Sequence, residues 1–407
     1  MNRRFFSKFL ALGTGSVGLM PSDSDSTEKT ATGGEDNPDS TVNNSLKFNP
    51  LFGQVPACVA DFQILAKTAL PRATYEYITS GSTDEVTLHE NLAAFRRIRI
   101  LPPLLAGVDR VDTSTSILGQ SISMPILIAP VAGQSLFHAD GVLGSARAAA
   151  AAHTILGVSS SAGNSVEEIA AASSGPKWFQ LYVPKDRGVT RQLVERVHAS
   201  GYKAIIVTVD LGERKDADLR NRFALPPSVL RKHLIDIGFP ITKDMSYSDL
   251  LAFNEKAWDL ALDWKFFDWL RSVTNLPILL KGVLRPADAQ QAIALGLDGI
   301  IVSNHGGRRL DGVPSSIEQL PKIADVMDGK AELLLDSGVR RGTDVLKAIA
   351  LGAKAVLIGR PSAWALAAEG ELGVSKVLSF FREELILAMQ TSGCPSLAAI
   401  KKPLLMM

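Results

Sequence analysis

A histidine and an arginine stand three positions apart in the run Ile301-Val302-Ser303-Asn304-His305-Gly306-Gly307-Arg308-Arg309-Leu310-Asp311. Histidine has the side chain whose ordinary pKa lies closest to neutrality, so an imidazole here can accept a proton at working pH. Arg308 offers a planar fork of donors that matches a carboxylate. The intervening glycines permit left-handed backbone and let a ligand approach the chain closely. The run begins as an apolar strand, which places base and anion clamp at a strand's C-terminal end, where parallel α/β proteins bind ligands.

Two further stretches suit a phosphate. Asp336-Ser337-Gly338-Val339-Arg340-Arg341-Gly342-Thr343-Asp344 leads into a helical pattern, and Ile358-Gly359-Arg360-Pro361 ends an apolar run. Small residues expose backbone N–H groups, helix starts favour anions, and Arg340 and Arg360 would complete the pocket. These stretches indicate a phosphate without specifying its bearer. No G-x-G-x-x-G opens a βαβ unit, which argues against a nicotinamide dinucleotide.

The elements that must carry these residues form a repeat. Apolar runs occupy Met124–Pro130, Thr154–Ser160, Trp178–Val183, Ala204–Asp210, Pro277–Val283, Gly299–Ser303, Glu332–Asp336 and Ala355–Gly359. Amphipathic stretches such as Ser165–Ala172, Gly188–Ala199, Pro286–Leu295 and Gly342–Ala350 lie between them. Near-continuous apolar strands alternating with helices indicate a parallel sheet covered on both faces. Eight units without a central reversal predict an α/β fold of the closed (β/α)₈ (TIM) barrel type. The long gap after the fourth run predicts an insertion over the mouth, and residues 46–123 an N-terminal helical segment and a closing cap. Ser159, Gln180, Tyr182, Thr208, Asp210, Lys281, Ser303, His305, Asp336 and Arg360 all fall at or just past an apolar run, on the face where barrels build active sites.

The 407 residues carry 43 basic and 42 acidic side chains, so no basic footprint for nucleic acid exists. Cys58 and Cys394 show no metal-ligand spacing, and we read them as unpaired thiols, with no metal site. At the N-terminus, Arg3-Arg4 precedes a mild apolar run from Phe9 to Met20, too short and Gly/Ser-rich for a membrane span. Residues 1–20 thus read as a twin-arginine-like export signal or a retained anchor, giving an extracytoplasmic location with possible membrane association; a basic organelle presequence or a cytoplasmic protein is the alternative. Residues 21–45, nearly devoid of apolar side chains, are expected to be a disordered linker before one domain over 46–407.

SNHGGRRLD, LPILLKGV, DSGVRRGTDV, IGRP, FQLYV and YEYITSG together resemble the FMN-dependent α-hydroxy-acid oxidase and dehydrogenase family, from about Phe62 to Ser396. The resemblance implies an FMN-holding barrel, commonly a homotetramer, that oxidises an L-2-hydroxy acid and passes electrons to O₂ or a respiratory acceptor. It implies that Pro130, Val131 and Ala132 meet the flavin N5 edge, and that Ser159, Gln180, Thr208 and Ser303 bond its polar side. Lys281 would stabilise the anionic reduced ring. Asp336, Ser337, Gly338, Arg340, Gly359 and Arg360 would hold the ribityl phosphate. His305 would be the base, Asp210 its partner, and Tyr75, Tyr182 and Arg308 the substrate-holding residues. The loop after the fourth strand departs from the family pattern T-P-x-L-G-R-R-E-A-D-x-[RK]-N. It is two residues shorter and puts Lys215 in the arginine position, with Arg214 as alternative, so a point charge replaces the fork. Ser161 stands where glycolate oxidase has tryptophan, which implies a wider pocket and a lactate-like or larger substrate. A flavin-binding barrel with altered or lost turnover is the competing reading.

Overall fold

Each of the eight apolar runs contains one strand of a closed parallel barrel in the computed structural model, which describes residues 55–212 and 216–406. The strands are β1 (Ile126–Ile128), β2 (Leu156–Ser159), β3 (Lys177–Leu181), β4 (Ala204–Thr208), β5 (Ile278–Val283), β6 (Gly299–Val302), β7 (Glu332–Leu335) and β8 (Ala355–Ile358). They pair in chain order, and β8 closes on β1. The signal-like residues 1–20, the linker 21–45, and Arg214 and Lys215 lie outside the described residues.

Strand residues divide by parity, as a pleated strand requires. Leu127, Ile155, Trp178, Ala204, Ile206, Leu279, Ile301 and Leu334 fill the barrel interior. Their neighbours Ile205, Val207, Ile278, Leu280 and Ile300 face outward into the layer shared with the helices. The hairpin of Thr115–Ile117 and Gln120–Ile122 adds Ile117 and Ile122 to the interior cluster, supplying the predicted cap. With the barrel interior packed, a ligand meets the barrel at the C-terminal ends of its strands.

Three N-terminal helices, Val59–Ala69, Arg72–Thr79 and Val86–Arg97, precede the barrel. The insertion between β4 and β5 holds helices Asp216–Asn221, Pro227–Ile237 and Tyr247–Ala257, followed by Lys265–Val273 against the barrel wall. Among the described residues no helix is long and apolar enough to cross a membrane, and both cysteines are free thiols.

Candidate active site

The backbone leaving β6 turns sharply: His305, Gly306 and Gly307 all have positive φ, at 58°, 69° and 71°. A Cβ at Gly307 would lie 2.6 Å from the Leu88 nitrogen, which favours glycine there, and one at Gly306 would lie 2.6 Å from Arg360 Nη1 and push that guanidinium aside. His305 carries its own side chain in this disfavoured region, a strain that the surroundings must hold. They do so from behind: Asn304 and Asn91 exchange reciprocal amide hydrogen bonds of 2.7 and 2.8 Å, tying the turn to helix Val86–Arg97. Asp311 accepts from the Thr83 hydroxyl and the Val86 and Thr87 amides at that helix's start. The last residue of the motif is therefore a structural clasp.

The turn aims imidazole at a cavity of about 430 Å³ over the strand ends. His305 Nδ1 lies 3.0 Å from Asp210 Oδ1. A carboxylate only accepts, so Nδ1 carries the proton and Nε2 is left as an acceptor. Tyr182 Oη sits 3.4 Å from that Nε2. Asp210 fits behind the ring because β5 bulges at Gly282 (φ 110°), where a Cβ would lie 2.8 Å from the Asp210 side chain. Burial pushes His305 down to about 4; Asp210 opposes this, and the charges of Arg309 and Lys281 reinforce it. Burial would raise Asp210, but the His305 ring and the cations Lys281 and Arg309 hold it below the usual carboxylate range. The resting pair is thus neutral imidazole on a carboxylate, which can accept a proton at Nε2 and stabilise the resulting charge.

Along the barrel rim, Ser159 donates to Gln180 Oε1 at 3.2 Å across the β2–β3 pairing, and Thr208 stands beside Lys281 in the β4–β5 register. Gln180 Nε2 and Thr208 Oγ1 are buried without a hydrogen-bond partner, although both residues line the cavity. Buried polar atoms ordinarily find partners, so this edge is built for a ligand with matching polar atoms. Lys281 donates to Ser303 Oγ at 2.9 Å and pairs with Asp336 Oδ2 at 2.9 Å. Burial alone would lower it, yet Asp336 and Asp210 hold the ammonium above its ordinary range. Ser303 does not line the cavity; fully buried behind Lys281, it also accepts from the His305 amide.

At the ends of β7 and β8 the cavity becomes an anion hole. Gly338 (φ 95°) could carry no side chain, since a Cβ would meet the Asn91 carbonyl at 2.3 Å, whereas a Cβ at Gly359 would find only Ala129, at 3.8 Å. Arg340 donates to its neighbour's carbonyl and lies over the Trp364 ring. Arg360 donates to the carbonyls of Ile78, Gly306 and Ser80. Burial presses Arg340 down to about 10, and burial with Arg308 and Arg340 nearby presses Arg360 well down. Clustered buried guanidinium groups call for a multiply charged anion. Pro130, Val131 and Ala132 form the opposite wall, and Ser337 lines the cavity while accepting from the Gly306 amide. A polar rim joined to an anion hole fits FMN, whose flavin polar edge would lie at Gln180, Thr208 and Lys281 and whose phosphate would lie at Arg340 and Arg360.

Tyr75 is not in this site. It packs in the core, its hydroxyl accepting from Gln63 Nε2, and Tyr77 lines the cavity instead. Two residues on a helix point about 200° apart, so only one of the pair can face the mouth. Tyr75 shares the buried face of Arg72–Thr79 with Ile78, a three-residue spacing readable in the sequence. Tyr77 stacks on Phe223 of the insertion at 4.3 Å and lies under the Arg308 guanidinium. The insertion adds a wall with no motif to announce it, including Leu225, Val229, His233, Trp258 and Leu260. His233 stacks on Trp258, and its Nε2 lies 3.3 Å from Ser161 Oγ.

A barrel whose mouth joins an anion hole, a lysine-bearing polar rim and a histidine–carboxylate base defines a flavin-nucleotide oxidoreductase. The chain belongs to the FMN-dependent dehydrogenase family, whose profile matches residues 66–407. The 2-hydroxyacid oxidase 1 of Homo sapiens is 48% identical over 356 residues, covering 85% of this chain and 95% of that protein. An L-lactate oxidase from Nostoc sp. is 46% identical over 353 residues, covering 85% and 96%. The crystal structure of a mandelate oxidase matches with a TM-score of 0.77 at 38% identity, covering 86% of this chain and 98% of that one.

Proposed function

We propose that the protein oxidises an L-2-hydroxy acid of lactate size or larger to the 2-oxo acid. The observation that carries this reading is His305 at the cavity wall with its Nδ1 3.0 Å from the Asp210 carboxylate behind it, which leaves Nε2 to accept a proton. His305 takes the proton of the substrate's 2-hydroxyl at Nε2, and Asp210 stabilises the imidazolium as it forms. FMN, when bound, supplies the two-electron acceptor for the substrate. Tyr182 orients the hydroxyl from beside Nε2, and Lys281 provides positive charge at the rim where negative charge develops. Ser161, Leu211, Leu225, Val229 and Leu260 leave room for an apolar side chain, which supports a substrate bulkier than the smallest 2-hydroxy acids. Oxygen is the final acceptor, as the names of the oxidase relatives suggest.

Anaerobic addition of a panel of 2-hydroxy acids should bleach the yellow holoprotein, most rapidly for side chains larger than a methyl group. A flavin that none of them reduces would refute the reading. Readmitting O₂ or a quinone then identifies the acceptor. Residues 1–20 direct export: changing Arg3 and Arg4 to lysine should trap flavin-loaded protein in the cytoplasm, and continued export would refute the signal. The family resemblance implies assembly as a homotetramer, for which the exposed Leu104 and Leu105 offer apolar contact surface, and light scattering tests it.

A further inference from the structure

Arg187 is the first residue of helix Arg187–Ala199, which Asp186 caps, so it holds its charge at the end of the helix whose dipole disfavours a cation. Its side chain turns off the helix to other partners. Nη1 donates to the Pro184 carbonyl at 2.8 Å, and Nη2 donates to Asp259 Oδ2 at 2.5 Å. The guanidinium lies 5.1 Å from the Phe266 ring centroid and 5.7 Å from that of Trp269, both on helix Lys265–Val273. Pro184 belongs to the exit of β3, whereas Asp259, Phe266 and Trp269 belong to the chain returning from the β4–β5 insertion.

Between these partners the two backbones pair. Pro184 and Trp258 form an isolated antiparallel bridge, flanked by bonds from the Lys185 amide to the Ala257 carbonyl at 2.8 Å and from the Asp259 amide to the Val183 carbonyl at 2.9 Å. The bridge brings together two rings that line the cavity: Trp258 meets Tyr182 edge-on, with centroids 6.2 Å apart. Trp258 also stacks on His233 and meets Phe239, so it gathers the inner side of the insertion.

Resting on the functional reading above, we propose that Arg187 is a positioning residue that locks the insertion onto the exit of β3, so that Tyr182 and the wall beside it move as one unit. Arg187 does not line the cavity. It acts through Trp258 on the Tyr182 ring, whose hydroxyl stands 3.4 Å from His305 Nε2. A partly exposed ion pair contributes little by itself, and a lone two-stranded pairing is marginal. The Arg187 fork spans that pairing, with one arm on each backbone segment and its face against two rings, a geometry that lysine cannot reproduce.

The test uses FMN-loaded Arg187→Met and Arg187→Lys, with Asp259→Asn to remove the ion pair alone. Hydrogen exchange read by mass spectrometry should quicken in Arg187→Met at the Lys185 and Asp259 amides. In single-turnover flavin reduction by a 2-hydroxy acid, Arg187→Met should be slower by roughly tenfold, the order found for residues coupled through contact, and Arg187→Lys should recover part of the loss. Asp259→Asn, which keeps the Pro184 bond and both ring contacts, should show the same pattern at smaller size, and it serves as the test variant should Arg187→Met fold poorly. A cycle with Tyr182→Phe separates positioning from general support. Phenylalanine lacks the hydroxyl that Arg187 positions, so in that background Arg187→Met should slow reduction by no more than about twofold further. Equal slowing in both backgrounds would overturn the proposal, and so would unchanged exchange at the two amides. If no 2-hydroxy acid reduces the wild-type flavin, the oxidase reading fails, and the exchange comparison still decides whether Arg187 holds the insertion.

Discussion

Replacing Asp210 with asparagine tests the acid–base pair, because it removes a charge while retaining shape. The bond it alters is the 3.0 Å contact from His305 Nδ1, made with both side chains largely out of water. A hydrogen bond to a charged group contributes about 1.5–3 kcal/mol and a neutral one about 0.5–1.5 kcal/mol, so the conversion should cost about 1–1.5 kcal/mol and slow proton abstraction roughly five- to twelvefold. The loss is greater if the new amide turns its NH₂ toward Nδ1, because Nε2 must then carry the proton and can no longer accept one. The assay is stopped-flow flavin reduction without oxygen. FMN content should be unchanged, since Asp210 stands behind His305 and outside the cavity wall. The pH dependence carries a sign as well. Imidazole is the active form and burial sets its pKa at about 4, so kcat/KM in the wild type should hold to about pH 5 and fall below it. Asp210 favours the imidazolium, and its loss should move the acid limb lower still. Reduction within threefold of wild type, or an acid limb that moves upward, would refute the reasoning.

His305→Ala should retain FMN yet slow flavin reduction by at least roughly 10²-fold, the usual worth of a positioned base; near-native single-turnover rates would remove it from the mechanism. Arg340→Ala should lower FMN affinity, because a buried guanidinium leaves the anion hole, and flavin retained through exhaustive dialysis would count against that assignment. His233 and His305 are both pushed by burial to about 4, whereas the unfolded chain protonates them near 6.5. Stability should therefore fall as pH drops from about 6.5 to 4, and a Tm flat across that window would contradict it.

The barrel was legible because parallel strands buried on both faces must be apolar throughout, and every one of the eight runs became a strand. Helix Gly342–Ala350 coincided with its predicted span. Residues at strand ends were legible for the same reason: a polar side chain closing an apolar run has the mouth as its outlet. Two kinds of information were not local. Tyr75 and Tyr77 differ only in helical phase, which the pairing of Tyr75 with Ile78 could have settled. His233, Trp258 and Arg309 enter the cavity through tertiary placement of an insertion and a turn, and no spacing announces such contacts. Asp311 belonged to the motif as a string, yet its partners are Thr83, Val86 and Thr87, more than two hundred positions earlier.

The connection from β4 to β5 has a consequence for chain entropy. Roughly seventy residues separate Thr208 from Ile278, against about twenty in the connection before it. Because closure entropy grows only with the logarithm of loop length, the difference adds about 1 kcal/mol to pairing those two strands. That is small beside the burial of Val207 and Leu280 on either side of the seam. The barrel can therefore carry a wall whose length and sequence vary almost freely, while His305, Lys281 and the anion hole stay at the ends of strands that do not feel the change. Divergence in what the pocket admits can thus accumulate in one segment at little thermodynamic cost to the rest.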